Sequence, residues 1–325
     1  MPRLVSAPRV AIVGAGAMGC LFAARLAEQG ARVTLVDVDR DRLAVLAGAG
    51  ITLTDDRGTR TLPVGAALAA DVAGPVDLLI LFTKGLHSAA AIRSVAHLAA
   101  DAPIALTLQN GIGNAELLAD GFGADRVLMG TAHIPADLTG PASVLTHGFG
   151  HLDLGGFTPA AHLLAPGVVA LLEKAGFGAT LAGDVAAAVW EKVAFNAALN
   201  AIGMICQVPN AGVDNAPGRR VALRVVDETV AVAAAAGIVI DGARIAATVD
   251  AALREHAHHK ASMLQDREHG RRTEIETING AIAREGARLG VPTPACDTLA
   301  DLVRVIELAA ARQGEAPIMA ATPGH

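Results

Sequence analysis

The chain has 325 residues, room for about two domains of ordinary size. Hydrophobic residues, largely alanine, make up 52% of it and 35 residues are glycine, a globular composition with an ample core. A formal charge of −6 without a block of basic residues argues against a nucleic-acid partner, and with one tryptophan and no tyrosine, binding does not rest on aromatic platforms. Cys20, Cys206 and Cys296 are odd in number and far apart. That suits reduced thiols in a cytoplasmic protein, not a disulfide framework or a zinc site. The longest unbroken apolar run, VAVAAAAGIVI, falls short of the roughly 20 residues of a membrane span. The first residues lead into a strand-like run without a signal peptide's apolar region. The expected setting is cytoplasmic, with neither membrane nor nucleic acid as partner.

In chain order, RVAIVGAGAMGCLFAARLAEQGARVTLVDVDRDRL comes first. Val10 to Val13 read as a short buried strand, Gly14, Gly16 and Gly19 as G-x-G-x-x-G, and Leu21, Phe22 and Leu26 as a helix stopped by Gly30. The first glycine allows a tight turn, the second lets the backbone approach a pyrophosphate, and the third permits close helix–strand packing. The helix N-terminus adds unpaired N–H groups and a positive dipole end. Gly14, Gly16, Ala17, Met18 and Gly19 are therefore the expected pyrophosphate contacts. Asp37 ends the next strand, RVTLVDV, where a carboxylate accepts from ribose hydroxyls and repels a 2′-phosphate. It favours NAD(H) over NADP(H), with Arg40 nearby as a cation that could compensate.

The α/β rhythm continues. VDLLILFTK (76–84), PIALTLQNG (103–111) and RVLMGTAHI (126–134) read as buried strands, with helix-like SAAAIRSVAHLAA and NAELLADGF between them. Thr83–Lys84, Asn110–Gly111 and His133 fall at strand ends, where doubly wound sheets carry ligand contacts. Lys84 reads equally as a capping cation or a phosphate or ribose contact. Residues 51–62 look like a hairpin insertion, and 140–156 like closing antiparallel strands. The first domain, 1–183, is thus expected to be a Rossmann-type, doubly wound α/β sheet.

From residue 184 the pattern turns helical, with Asp184 as a candidate N-cap, so 184–325 is expected to be an all-helical substrate-binding and catalytic domain. In WEKVAFNAALNAIG, Lys192, Asn196 and Asn200 are four residues apart and share one helix face within an apolar run. On residues alone, a lysine lifting its ammonium to solvent beside tolerated asparagines and a functional polar lane are both open. Further on, Thr273 and Glu276 have the spacing of a capping box before Ile275, Ile278, Ile282 and Leu289, with Gly290 and Pro292 as the stop. Glu274 would then be either an ordinary first-turn acid or a site carboxylate. His256, His258 and His259 lack metal-ligand spacing and read as a solvated helical face, so no metal is expected.

The stretches GAGAMG, TKGLHS, LQNGIGN, GTAHIPADLTGP, WEKVAFNAALNAI, SMLQD and TEIETINGAI together resemble the ketopantoate reductase (2-dehydropantoate 2-reductase) family, over nearly the whole chain. The resemblance implies an NAD(P)-dependent reduction of a 2-oxo acid, ketopantoate to pantoate in pantothenate biosynthesis. It makes Lys192 the general acid, places Asn110 between nicotinamide and substrate, and gives Asn196 and Asn200 to substrate and to holding the lysine. Ser262 matches the serine for the substrate carboxylate, Glu274 the glutamate that binds the substrate hydroxyl, Asp266 a supporting acid, and Lys84 a cofactor-contacting lysine. A substrate cleft between the two domains would follow. The chemistry agrees: hydride delivery to a ketone develops an alkoxide, and an ammonium supplies both a proton and a stabilising charge.

Three residues depart from the family pattern. His87 replaces an expected glutamine, Pro135 a usual glycine, and Asp37 stands where NADPH-dependent members commonly carry a basic or neutral residue. The last resembles the NAD-dependent D-2-hydroxyacid dehydrogenase branch of the same family, acting on bulkier hydroxy acids. That branch is the alternative, and a non-catalytic dinucleotide sensor would not need Lys192, Asn196, Asn200, Ser262 and Glu274 together. The expected partner is a small-molecule 2-oxo acid, with a homodimer left open.

Overall fold

The computed structural model describes residues 7–148 and 150–315. The chain divides into two compact units, Met1–Lys192 and Val193–His325. The division falls inside a long helix, Val185–Cys206, which starts beside the boundary expected from the sequence. Asp184 Oδ1 accepts from Ala187 N at 2.9 Å at the start of that helix.

The first unit runs β1 (Arg9–Val13), α1 (Ala17–Glu28), β2 (Arg32–Val36), α2 (Arg40–Ala49), β3 (Ile51–Asp55), β4 (Gly58–Leu62), β5 (Gly65–Ala67) and β6 (Leu78–Leu81). It continues through α3 (Ser88–Ser94), β7 (Ile104–Thr107), α4 (Asn114–Phe122), β8 (Val127–His133), β9 (Asp137–Gly140) and β10 (Ser143–Leu145). β11 (His151–Gly156), α5 (Pro159–His162), α6 (Ala165–Lys174) and β12 (Ala179–Leu181) follow, then α7 (Val185–Cys206). An eight-stranded sheet has the order β12-β11-β8-β7-β6-β1-β2-β5. From β5 to β8 every neighbouring pair is parallel, while β11 runs antiparallel to β8. The order reverses at β1, between β2 and β6, which is the Rossmann-type switch point. β1 and β6 are apolar runs because both sheet faces are covered.

The hairpin expected over 51–62 forms, as β3 and β4. The antiparallel strands expected over 140–156 form too, but in two sheets: β10 pairs antiparallel with β9 and parallel with β3 in a separate four-stranded sheet, and β11 runs antiparallel to β8 in the large one. The reason lies in α1, where every residue from Gly19 to Leu26 is buried. A helix apolar all round must be covered on more than one side. α1 packs on β1 and β2 on one side and on β3, β4 and β10 on the other. Arg25, buried within it, donates to Gly176 O at 2.9 Å, and its guanidinium lies 5.0 Å from the Phe177 ring centre.

The second unit holds the rest of α7 with α8 (Asn210–Val213), α9 (Ala216–Ala235), α10 (Gly242–Glu255), α11 (Ser262–Glu268), α12 (Asn279–Leu289) and α13 (Pro294–Glu315). Its described residues form no strand; residues 316–325 of the expected helical domain lie outside the described residues. Glu228 of α9 accepts from Ala295 N and Cys296 N at 2.8 and 2.9 Å, capping α13 from a neighbouring helix. α12 comes close enough that a Cβ on Gly286 would stand 2.7 Å from Thr293 Cγ2 and 2.8 Å from Val291 O. Among the described residues no helix is long and apolar enough to cross a membrane.

The capping box expected at Thr273 and Glu276 does not form, and α12 starts only at Asn279. Stronger tertiary partners take both side chains. Thr273 N and Oγ1 both donate to Glu307 Oε1 at 2.7 Å, while Glu276 pairs with Arg304 at 2.7 Å and Arg284 at 2.9 Å. Charge-assisted bonds of this kind outweigh a reciprocal main-chain cap.

An ion network ties the hairpin to α1. Arg60 reaches Glu28 at 2.5 Å and Asp55 at 2.7 Å, and the Asp55 side chain is only 5% exposed. Hydrogen bonding to Arg60 holds the Asp55 carboxyl well below the usual carboxylate range. A depressed folded value means the stabilisation is full above the unfolded value of about 3.9 and is lost as pH falls below it. Asp55→Asn is expected to lower stability by about 1–3 kcal/mol at neutral pH. The gap from the parent should close below about pH 4 in denaturation curves. A gap that stays constant through acid pH would show that the network does not stabilise the fold.

Candidate active site

Because β2, β1, β6, β7 and β8 are parallel, their carboxyl ends share one edge of the sheet. Gly14 lies there with φ +108°, and a Cβ on it would stand 2.7 Å from Thr83 N, just past β6. On Gly19 a Cβ would collide with Gly14 O, so α1 can sit this close to β1 only with glycine there. Gly16 differs: its Cβ position has no atom within 4 Å. Gly16 is the N-cap of α1, no side chain caps the helix, and no acid occupies its first turn. Main-chain donors at Ala17 and Met18 are thus left for an anion. A cavity of about 430 Å³ adjoins this turn, lined among others by Gly16, Asp37, Arg42, Lys84 and His87. A dinucleotide fits this set: small residues for the pyrophosphate, a helix N-terminus beneath it and a carboxylate at the end of β2.

Asp37 is held by main chain. Its Oδ2 accepts from Ala15 N at 2.7 Å and its Oδ1 from Val38 N and Asp39 N at 2.8 and 3.1 Å. A cation that did not stand out in the sequence, Arg42, lines the cavity and donates to Ala15 O at 2.8 Å. Arg40 opens α2 and is exposed. Two positions along a helix turn a side chain by roughly 200°, so only one of the two arginines can face the glycine-rich turn.

A polar chain joins the ends of β6 and β7 to the starts of α3 and α4. Gln109 donates to Thr83 O and to Ser88 Oγ, the latter at 2.9 Å, and accepts from Thr107 Oγ1 at 2.9 Å. Ser88 Oγ donates to Asn114 Oδ1 at 3.1 Å, and Asn114 Nδ2 to Asn110 O at 3.3 Å. Asn110 is held in this way, on a turn where Gly111 has φ +97°. Gln109, Ser88 and Asn114 do not stand out in the sequence although LQNGIGN and TKGLHS contain them; neutral residues carry no charge or spacing signal.

Lys192 is half-buried on α7, and its Nζ donates to Ala132 O at 2.7 Å, one residue before β8 ends at His133. Although much of His133 is accessible, desolvation of its ring and then the Lys192 charge hold the imidazole below its ordinary value.

In the second unit, buried Asn200 uses both ends of its amide. Its Nδ2 donates to Asn196 O at 3.1 Å, and its Oδ1 accepts from Ser262 Oγ at 2.9 Å and Met263 N at 3.2 Å. Asn200 and Ser262 are thereby brought together at the start of α11. Asp266, also buried, pairs with Arg271 at 3.0 Å. Glu274 sits half-buried on the non-helical turn before α12, not in a first helical turn, and its carbonyl accepts from Thr277 N and Ile278 N at 3.1 Å. Asn279 closes that turn by donating to Ala197 O of α7 at 3.1 Å. His256, His258 and His259 lie in the turn after α10, not on a helical face. Among the described residues no three His, Cys, Asp or Glu side chains are disposed to hold a metal.

The family model described as ketopantoate reductase PanE/ApbA matches residues 10–159, and its C-terminal counterpart matches 184–307. A 2-dehydropantoate 2-reductase of Halobacterium salinarum is 33% identical over 301 residues, covering 92% of this chain and 99% of that protein. Among solved structures, the ternary structure of D-mandelate dehydrogenase with NADH and anilino(oxo)acetate aligns with TM-score 0.88 at 28% identity, covering 93% of this chain and 99% of that one. The 2-dehydropantoate 2-reductase of Geobacter metallireducens aligns with TM-score 0.84 at 31% identity, over 92% and 99%. With both family models matched in chain order on a fold whose glycine-rich turn suits a dinucleotide, the chain belongs to the ketopantoate reductase family of NAD(P)-dependent oxidoreductases.

Proposed function

We propose that the protein reduces the keto group of a small 2-oxo acid, ketopantoate being the first candidate, with Lys192 as the proton donor. The observation that carries this reading is the Lys192 ammonium, bonded to Ala132 O at 2.7 Å where β8 reaches the carboxyl edge of the sheet. When bound, a nicotinamide dinucleotide supplies the hydride. The Ala132 carbonyl orients the ammonium, and a positive charge there meets a developing alkoxide.

The remaining assignments follow the family pattern. Asn110 faces the reacting carbon, Asn196, Asn200 and Ser262 hold the substrate, and Asn200 also sets the Ser262 hydroxyl through their 2.9 Å bond. Glu274 takes the substrate hydroxyl, and Asp266 supports the segment through Arg271. Gly14, Gly16, Ala17, Met18, Gly19, Asp37 and Lys84 hold the cofactor. Asp37 favours NAD(H), since its carboxylate lines the cavity at the end of β2 and repels a 2′-phosphate. The likeness to D-mandelate dehydrogenase, together with Asp37, supports a second reading: an NAD-linked dehydrogenase of a bulkier D-2-hydroxy acid.

Turnover of ketopantoate beside that of phenylglyoxylate separates the two, and a higher kcat/KM on the aromatic acid would select the second. In the parent protein NADH should bind more tightly than NADPH, and Asp37→Ser with an added arginine should narrow the difference. Equal or tighter NADPH binding by the parent would remove Asp37 as the determinant. In single-turnover hydride transfer, Lys192→Ala should lose roughly 10²–10⁴-fold, with cofactor affinity nearly unchanged. Lys192→Arg should not recover fully, because guanidinium is a poor acid at neutral pH. A rate within about threefold of the parent would take Lys192 out of the mechanism. In the same Lys192→Ala protein, loss of the nearby positive charge should raise the His133 titration midpoint read by NMR. An unmoved midpoint would place the ammonium away from the end of β8.

A further inference from the structure

Ala15, between the first two glycines of the motif, is fully buried and gripped on both main-chain groups by side chains of opposite charge. Its N–H donates to Asp37 Oδ2 at 2.7 Å, and its carbonyl accepts from Arg42 Nη1 at 2.8 Å. The Cys20 thiol donates to the same carbonyl at 3.4 Å, and burial pushes that thiol up to about 11, so it stays protonated. A trans peptide points its C=O and N–H in opposite directions. Fixing the Ala15 carbonyl towards Arg42 therefore fixes the Gly16 N–H on the other side of the peptide plane. Gly16 is the residue whose Cβ position is open, next to the cavity. Arg42 contributes a second constraint: its Nε is 3.9 Å from Asp39, the N-cap of α2, so the guanidinium is steered by the helix that bears it.

We propose that Arg42 is a cofactor-positioning residue that works with Asp37 to preset the glycine-rich turn, and that it acts equally on NADH and NADPH. This deepens the reading in which the cavity takes a nicotinamide dinucleotide with Asp37 setting the preference. Asp37 then has two duties, ribose recognition and loop organisation, whereas Arg42 has the second alone. A guanidinium committed to a main-chain carbonyl is a poorer 2′-phosphate ligand than a free one, because Arg42 must keep Nη1 on Ala15.

The test is direct binding of NADH and NADPH, by quenching of Trp190 fluorescence or calorimetry, to the parent, Arg42→Ala and Arg42→Lys, with kcat, cofactor KM and Tm measured on each. Arg42→Ala is expected to weaken both cofactors about tenfold, to leave their affinity ratio within about twofold of the parent, and to raise cofactor KM while kcat at saturation holds. Arg42→Lys, which keeps one donor for Ala15 O, should fall between the two. If Arg42→Ala does not fold, Arg42→Lys gives the same readings on a smaller scale. A loss confined to NADPH would make Arg42 a 2′-phosphate ligand and overturn the proposal. Unchanged affinities with a lowered Tm would reduce Arg42 to a structural role and overturn it as well. The parent's own NADH-to-NADPH ratio tests Asp37 separately: a parent that prefers NADPH defeats that reading while an equal loss in Arg42→Ala still upholds this one.

Discussion

The parallel pairing of β1 between β2 and β6 is the constraint on which the nucleotide unit depends. Register aligns Val13 with Val36 on one side and Leu81 on the other, so the next residues of all three strands emerge together. Gly14 and Asp37 meet the Phe82–Thr83 segment for that reason, although the three are far apart in the chain. The approach is close enough that Gly14 N bonds Val36 O at 2.8 Å. Any side chain on Gly14 would push β6 away. The carboxylate that faces the cavity is the same one that holds the loop, so cavity wall and loop shape are not separable at Asp37.

Polar side chains on an apolar helix need partners, since a buried donor or acceptor left unmade costs about 1–3 kcal/mol. α7 meets this requirement by tying its polar lane to other elements. Lys192 bonds a strand carbonyl in the first unit, and Asn200 bonds both α11 and its own helix in the second. A lane that looks tolerant in sequence is therefore specific in its contacts. Asn200 is back-bonded in the ordinary way of a helical asparagine and still sets Ser262. The bland and the functional readings of that residue are compatible.

The Glu274 turn shows how a carboxylate is held without a helix around it. Glu307 takes Thr273, Arg304 and Arg284 take Glu276, and Asn279 fastens the far end to α7. The charged partners belong to α12 or α13, downstream of the turn, while α7 lies upstream of it. A local capping box would have used Thr273 and Glu276 on each other. Turning both outward frees the turn to stay open, at the expense of starting α12 later.

Features that depend on local spacing are legible in the residues alone. The G-x-G-x-x-G turn between strand and helix, Asp37 at the end of β2, the hairpin at 51–62, the helical second half and the polar lane on α7 all follow from periodicity, glycine placement and charge. A strand or helix is built from bonds a few residues long, and its pattern is written there. Which distant group each side chain answers to is settled by the folded arrangement. It set Arg42 on Ala15, sent Thr273 to Glu307, split residues 140–156 between two sheets to cover both sides of α1, and joined Gln109 to Ser88 and Asn114. Each outcome is a competition among partners of similar chemistry. Three-dimensional proximity settles that competition, and no pattern within one segment records it.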